Sequence, residues 1–180
     1  LAVAKAASAL VLDDLIQTYD GTPKDVTALS APGGLAIELS YDGRPAAPVA
    51  AGRYVVVAAV DDENYQGSAT GTLTVAKMGA TLTLGSLVQA YNGTRRNATA
   101  TTVPDELAVD FTYDGRSVAP TAIGIYAVTA TVSDVNFAGT GTGTLVVGKG
   151  KATITLGNLE QYFDGQPKCA TATTAPGGLT

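Results

Sequence analysis

The chain of 180 residues contains no histidine, no tryptophan and a single cysteine, Cys169. Without histidine, Ser-His-Asp and Cys-His catalysis are excluded within this chain, and so are metal sites built on imidazole. A single cysteine excludes an intramolecular disulfide. The sequence therefore predicts no catalytic, cofactor-binding or metal-binding residues, and we do not expect an enzyme.

Positive charge is also scarce, because 11 Lys and Arg stand against 16 Asp and Glu and leave a net charge of −5. Nucleic acids and anionic membranes are bound by basic patches, so neither is an expected partner. The sequence shows no signal peptide and no apolar run long enough to cross a bilayer. We expect no membrane insertion in this segment.

What the sequence does contain is a repeat with a period of 72 residues. Residues 5–76 align with residues 77–148 without a gap, and 33 of the 72 positions are identical, which chance does not give. The alignment predicts that 1–4 end a preceding repeat, that 5–76 and 77–148 are complete repeats, and that 149–180 belong to a third. We interpret the chain as a window on a longer tandem array.

Alternation of apolar and polar residues predicts that each repeat is built of β-strands. In the stretch 54–60, Tyr54, Val56 and Ala58 share one face of an extended strand. No stretch shows a helical period over ten residues, and Thr and Val are abundant where helices favour Leu, Glu and Lys. Further strands are expected near 8–12, 15–19, 24–29, 35–41 and 69–75, with equivalents 72 residues later.

Asp-Gly and Asn-Gly dipeptides lie between the expected strands. Such dipeptides are typical of tight hairpins in which both turn residues have positive φ. All of them are predicted to form turns of this kind: Asp20-Gly21, Asp42-Gly43, Asn92-Gly93, Asp114-Gly115 and Asp164-Gly165.

Six or seven short strands in about 70 residues favour an all-β fold, a tandem array of small antiparallel Ig-like β-sandwich domains. The run from Gly52 to Ala58 resembles the strand of such domains that begins with a corner tyrosine. A β-grasp-like unit is the alternative, although that fold needs a helix. Short segments around Lys77 and Lys149 join the repeats without a flexible spacer, so we expect a fairly stiff array.

Four motifs with joint spacing resemble the MBG/YDG-type tandem repeats of large bacterial surface and secreted proteins. The resemblance covers essentially the whole chain, and it implies extracellular or cell-surface Ig-like modules of adhesin-like proteins. It implies such an array more firmly than it implies any ligand. In the first repeat the motifs span Leu15 to Lys24, Tyr41 to Pro48, Gly52 to Val56 and Asn64 to Leu73.

Two other features bear on chemistry. Cys169 occupies the position of Asp25 and Asn97 in the repeat, so it is expected to face solvent as a neutral substitution or an intermolecular attachment point. The acidic run 61–64 could ligate Ca²⁺. Its counterpart at 133–136 loses two acidic groups, so turn capping through the backbone is the favoured interpretation.

Tyr19, Tyr41, Tyr54 and Tyr65 all recur as aromatic residues in the second repeat. A repeated aromatic residue can stack on sugars, but a tyrosine at a strand end more often packs its ring in the core. Core or corner packing is favoured for Tyr54, and both interpretations stay open for Tyr19 and Tyr41.

A lysine begins each repeat, at Lys5, Lys77 and Lys149, and could form an isopeptide crosslink with an Asn or Asp. The last strands, 69–75 and 141–147, hold neither residue, so such a crosslink is not expected.

The favoured function is a structural repeat segment of a large extracellular bacterial protein that forms a stalk, surface fibre or filament. Its partners would be neighbouring repeats and, in a filament, identical chains paired through strand edges. An adhesive module that binds a glycan or protein is one alternative. A spacer in a secreted multidomain enzyme is another.

Overall fold

The computed structural model describes residues 3–178, which form strands and turns but no helix. The all-β prediction is therefore confirmed, and the helix that a β-grasp unit needs is not found among these residues. Leu1, Ala2, Leu179 and Thr180 lie outside the described residues. The predicted end of a preceding repeat at 1–4 consequently falls partly outside them.

The first repeat contains eight strands, two of them long and adjacent in the larger sheet. They are β1 (Ala6–Ala7), β2 (Ala9–Asp13), β3 (Ile16–Thr18), β4 (Thr27–Ala31), β5 (Ile37–Tyr41), β6 (Gly52–Val60), β7 (Tyr65–Gln66) and β8 (Ser68–Ala76).

The second repeat contains the same eight strands, each displaced by 72 residues. They are β9 (Met78–Gly79), β10 (Thr81–Gly85), β11 (Val88–Ala90), β12 (Thr99–Val103), β13 (Val109–Tyr113), β14 (Gly124–Val132), β15 (Phe137–Ala138) and β16 (Thr140–Gly148). The third stretch adds β17 (Thr153–Gly157) and β18 (Thr171–Ala175), which pair antiparallel.

Two sheets make up each complete repeat. In the first repeat, β2 and β4 form an antiparallel pair, and the other sheet has the order β3-β8-β6-β5. The second repeat has the pair β10-β12 and the sheet β11-β16-β14-β13. The small parallel pairs β1-β7 and β9-β15 complete the pattern.

The expected sandwich was antiparallel throughout, and one edge of the larger sheet is different. Strand β3 pairs parallel with β8, with Gln17 opposite Val75, whereas β6 pairs antiparallel with both β5 and β8. Only Asp14 and Leu15 separate β2 from β3. Asp14 has a φ of 59°, and at this bend the chain passes from the smaller sheet to the edge of the larger one.

The core of the first repeat contains side chains from both sheets and from the segment before β4. Leu73 on β8 and Val56 on β6 are fully buried, and Tyr41 at the end of β5 packs with them. Burial of each large side chain contributes about 1.5–3 kcal/mol, so strands β6 and β8 provide much of the apolar stabilisation. Partly buried residues pack around this cluster: Leu12, Leu15, Tyr19, Leu39, Ala47 and Tyr54.

The strand predicted at 24–29 is displaced and runs from Thr27 to Ala31. The preceding residues are held by bonds that leave the sheet pattern: Lys24 N–H donates to the Pro48 carbonyl at 2.8 Å, and Val26 N–H donates to the Tyr41 hydroxyl at 3.0 Å. These two bonds place Val26 in the core without strand pairing. The two-residue strands β1 and β7 were not predicted, because they are too short to show alternation.

The chain divides into two compact units that combine parts of successive repeats. The first comprises residues up to Thr83 together with Ala100–Phe111 and Ala130–Gly141. The second comprises Leu84–Thr99, Thr112–Thr129 and the residues from Thr142 onward. The segment 130–141 of the second repeat therefore packs within the same unit as the whole first repeat.

Candidate functional site

The tyrosines that recur between the repeats have mainly structural contacts. Tyr41 is 3% exposed, and its hydroxyl accepts the hydrogen bond from Val26 N–H. The Tyr54 hydroxyl donates to the Ala50 carbonyl at 2.8 Å, which is the arrangement of a tyrosine corner. Corner packing of Tyr54 is thus confirmed, and Tyr41 is a core residue that a sugar cannot reach. Tyr113 and Tyr126 make the same bonds, to Ala98 and Ala122.

A glutamine near the start of each repeat has a role that the sequence did not predict. The Gln17 side-chain amide donates to the carbonyl oxygens of Asp14 at 2.9 Å and Asp25 at 2.7 Å. A primary amide carries two donors, so one side chain can join two backbone segments in this way. Gln89 and Gln161 repeat the pattern. Their retention at the 72-residue spacing was the available signal.

The Asp-Gly and Asn-Gly turns are of two kinds. Asp42 and Gly43 have φ values of 49° and 76°, so the predicted hairpin turn is confirmed there, and its counterpart at 114–115 is alike. At 20–21 the prediction is wrong, because only Gly21 has positive φ. Here the Asp20 carboxylate accepts bonds from Thr22 N–H and from its hydroxyl, which fixes a turn of another type. The turns at 92–93 and 164–165 follow the second kind.

Asp20 also pairs with Lys24, whose amino group lies 2.5 Å from the carboxylate. This contact, followed by the bonds from Thr22, holds the pKa of Asp20 well below its ordinary value. Asp164 pairs with Lys168 in the same way, and its pKa is also lowered. The second repeat has Asn92 in place of the acid, so it cannot form this ion pair.

The acidic run at 61–64 forms a capped turn. The Asp62 carboxylate accepts hydrogen bonds from Asn64 N–H at 2.8 Å and Tyr65 N–H at 2.9 Å. Asp134 does the same for Asn136 and Phe137. No group of three or more His, Cys, Asp or Glu side chains that could hold a metal ion occurs within residues 3–178.

The remaining candidates lie apart from one another. Cys169 is a free, exposed thiol, as its position in the repeat predicted. The amino groups of Lys5 and Lys77 donate to backbone carbonyls, those of Asp62 at 2.6 Å and Asp134 at 2.5 Å. Neither amino group therefore faces a side-chain amide or carboxylate that could form an isopeptide bond. Residues 3–178 contain no helix that could span a bilayer.

The contacts that set the two complete repeats apart lie in the first compact unit. The Asn136 side-chain oxygen accepts a hydrogen bond from Ala51 N–H at 2.9 Å. The Phe137 ring meets the Tyr19 ring edge to face, with centroids 5.5 Å apart and an interplanar angle of 79°. Both residues of this pair come from the second repeat, and both contacted residues belong to the first.

An open depression of about 540 Å³ lies beside Tyr91, the residue equivalent to Tyr19, within the second compact unit. Its other lining residues come from the turn after β11 and from the third stretch, and they include Gly93, Gly150 and Pro176. Two glycines leave the floor of this depression free of side chains, so the face of the Tyr91 ring remains accessible.

Comparison with protein families identifies the repeat. The MBG domain matches residues 8–79, 80–151 and 152–180, which together are nearly the whole chain. The chain belongs to the MBG domain family. The matched stretches confirm the resemblance found in the sequence, and they divide the chain with the same 72-residue period. No curated protein matches the chain.

The MBG domain is a structural repeat and not a known enzyme family. In this chain, the residues that recur between MBG repeats have structural partners: Gln17 joins two backbone segments, Tyr41 donates and accepts in the core, and Asp62 caps a turn. The Asn-aromatic pair that follows each capping Asp is different, because in the second repeat it contacts the preceding MBG repeat.

Proposed function

We propose that these MBG repeats are a load-bearing structural segment of a large extracellular bacterial protein, such as a stalk, surface fibre or filament. The observation that carries the proposal is the parallel pairing of the first and last strands of the larger sheet in each repeat. Strand β3 pairs with β8 in the first repeat, and β11 pairs with β16 in the second.

Parallel terminal strands give a repeat mechanical resistance. Tension enters at the start of β3 and leaves at the end of β8, so the two strands are pulled in opposite directions along their length. The bonds between them, such as Tyr19 N–H to the Ala76 carbonyl at 2.9 Å and Thr74 N–H to the Leu15 carbonyl at 2.8 Å, are then loaded together. An antiparallel terminal pair would instead be opened one bond at a time.

The connection between repeats supports the same function. Strand β8 ends at Ala76 and β9 begins at Met78, so Lys77 alone separates the last strand of one repeat from the first strand of the next. The Lys77 amino group donates to the Asp134 carbonyl at 2.5 Å, which ties this connection to the second repeat. Little slack chain is available, so tension passes directly from sheet to sheet.

Pulling the first repeat in two directions tests the proposal. In Cys169→Ser chains, cysteines at Asp13 and Ala76 attach handles that shear β3 against β8, and cysteines at Asp13 and Ser68 attach handles that peel them. All three positions are exposed. We expect the shearing geometry to need about twofold more force or greater, since forced unfolding is governed by the barrier along the pulling direction.

Equal forces in the two geometries would overturn the load-bearing function. A peeling variant with the handle moved from Ser68 to Thr70, on the same exposed face of β8, serves as the control for handle position. It should rupture at the lower force.

The extracellular location is part of the proposal and rests on membership of the MBG family together with the resemblance to surface proteins. Antibodies raised against the chain should label intact cells of the producing organism without permeabilisation. Labelling that requires permeabilised cells would overturn this part of the proposal and leave the mechanical part standing.

A further inference from the structure

The Asn-aromatic pair of the second repeat occupies a defined surface on the first. Asn136 and Phe137 contact Ala51 N–H and the Tyr19 ring, and we call Tyr19 and Ala51 the acceptor surface. One contact is a directed hydrogen bond and the other an edge-to-face ring contact, so the surface selects for an amide oxygen next to an aromatic side chain.

The pair is held in shape before it reaches that surface. Asp134 accepts hydrogen bonds from the backbone N–H groups of both Asn136 and Phe137, at 2.7 and 3.0 Å. Asp62 holds Asn64 and Tyr65 in the same way. A pair that is already ordered loses less conformational entropy when it docks.

The 72-residue period gives the second repeat the same acceptor surface, and there it is uncovered. Tyr91 is 44% exposed and Ile123 is 53% exposed, whereas their equivalents Tyr19 and Ala51 are half-buried. The depression beside Tyr91 leaves room for an aromatic ring against it.

We propose that Tyr91 and the Ile123 N–H form an acceptor surface for the Asn-aromatic pair of another MBG repeat. The occupant is a repeat of the same kind, because its pair is the group seated on the equivalent surface within this structure. The contact deepens the proposed function and rests on it, since it describes how repeats of an array recognise one another.

The proposal assigns a role to each partner residue. The carboxamide oxygen accepts from the Ile123 N–H, and the aromatic ring places its edge on the Tyr91 ring. A contact that reads the backbone N–H tolerates Ala51 at one surface and Ile123 at the other, because the side chain at that position does not make the bond. The ring contact explains why an aromatic residue stands at 19 and 91 and at 65 and 137.

The sequence permits a direct test in one chain. Thr180 is equivalent to Ala36, so a copy of residues 37–76 added after Thr180 continues the third repeat in register and supplies an Asn64-Tyr65 pair. Amide hydrogen exchange and NMR of the Tyr rings are measured in the 180-residue and the extended chain. We expect exchange of the Ile123 amide to slow about tenfold or more in the extended chain, and the Tyr91 ring signals to shift.

The matched control is the extended chain with both residues of the added Asn-Tyr pair replaced by Ala. Its Ile123 amide should exchange as fast as in the 180-residue chain. Unchanged exchange in the extended chain, or slow exchange in the Ala-substituted one, would overturn the proposal. Neither result alters the force needed to shear β3 from β8, so the proposed function stands or falls separately.

The occupied surface provides a second test that needs no added residues. Asn136→Ala should speed exchange of the Ala51 amide, and Phe137→Ala should move the Tyr19 ring signals. Asn64→Ala, at the exposed equivalent position, should change neither. If the Ala51 amide stays equally protected in Asn136→Ala, the pair does not hold the surface and the proposal fails.

Discussion

The two complete MBG repeats have the same strands and the same core residues, yet equivalent side chains differ in exposure. Leu73 and Leu145 are both fully buried, as their common place on the last strand requires. Tyr19 and Tyr91 are identical residues at equivalent positions, but the first is half-buried and the second is exposed. The core of a repeat is thus set by its own sequence, whereas its ends depend on what contacts them.

A second difference concerns charge. The first repeat has the Asp20-Lys24 ion pair, while the second has Asn92 and Arg96 at these positions. The Arg96 Nε atom is buried and has no hydrogen-bond partner among the described residues. Two repeats with one backbone therefore differ in their dependence on a carboxylate, and this difference can be measured.

The largest expected effect tests whether the two cores are equivalent. Leu73→Ala and Leu145→Ala each remove a fully buried side chain, which costs about 2–5 kcal/mol because a cavity remains. We expect similar losses in the two repeats, measured by urea unfolding followed through NMR signals of each. Leu29→Ala, at a position that is largely exposed, is the control and should cost little.

The next effect concerns the buried tyrosine hydroxyl. Tyr41→Phe leaves Val26 N–H without its acceptor, and Tyr113→Phe does the same to Ala98 N–H. An unsatisfied buried donor costs about 1–3 kcal/mol, so each variant should unfold at lower urea concentration. Tyr54→Phe is a useful comparison, because the hydroxyl there is the donor and the Ala50 carbonyl is only partly buried. A larger loss for Tyr54→Phe than for Tyr41→Phe would contradict the assignment of Tyr41 to the core.

A smaller effect separates the two Asn-aromatic pairs. Asn136→Ala removes the bond to Ala51 N–H and should cost about 0.5–1.5 kcal/mol of stability. Asn64→Ala, where the side chain is exposed, should stay within about 0.5 kcal/mol of the unsubstituted chain. Equal costs at the two positions, again from urea unfolding, would show that Asn136 acts within its own turn and not on the first repeat.

Much of the fold followed from the sequence because local rules decide it. The period fixes equivalent positions, alternation identifies the long strands, and Asp42-Gly43 forms the turn that the dipeptide favours. The prediction failed where a side chain from elsewhere decides the conformation. Val26 is taken out of a strand by the Tyr41 hydroxyl, and Asp20 keeps a negative φ because its carboxylate bonds to Thr22.

The contacts between repeats were less accessible to prediction. Tyr19 was undecided between core and surface, since the ring that covers it, Phe137, lies more than a hundred positions along the chain. Gln17 was visible as a marker of the period, but nothing local shows that its amide reaches Asp25. Contacts distant in sequence require the three-dimensional arrangement of the strands.

The smallest expected effect breaks the comparison between the repeats by acid. The folded-state pKa of Asp20 is lowered, first by Lys24 and then by Thr22. The stabilisation from this carboxylate is therefore complete above the unfolded-state pKa of about 3.9 and is lost as the pH falls through the lower folded-state pKa. Asp20→Asn should reduce the stability of the first repeat at pH 7, and the difference from the unsubstituted chain should shrink towards pH 2.

The reciprocal variant decides whether the acid alone is responsible. Asn92→Asp gives the second repeat a carboxylate four residues before Arg96, in the arrangement of Asp20 and Lys24. Its stability should then acquire the same loss below pH 4, followed through NMR signals of the second repeat during urea unfolding. Since both chains retain every other carboxylate, the acid dependence of the difference belongs to this position. A pH-independent difference in both variants would mean that the turn holds through Thr22 or Thr94, and that the ion pair contributes nothing measurable, as many exposed pairs do not.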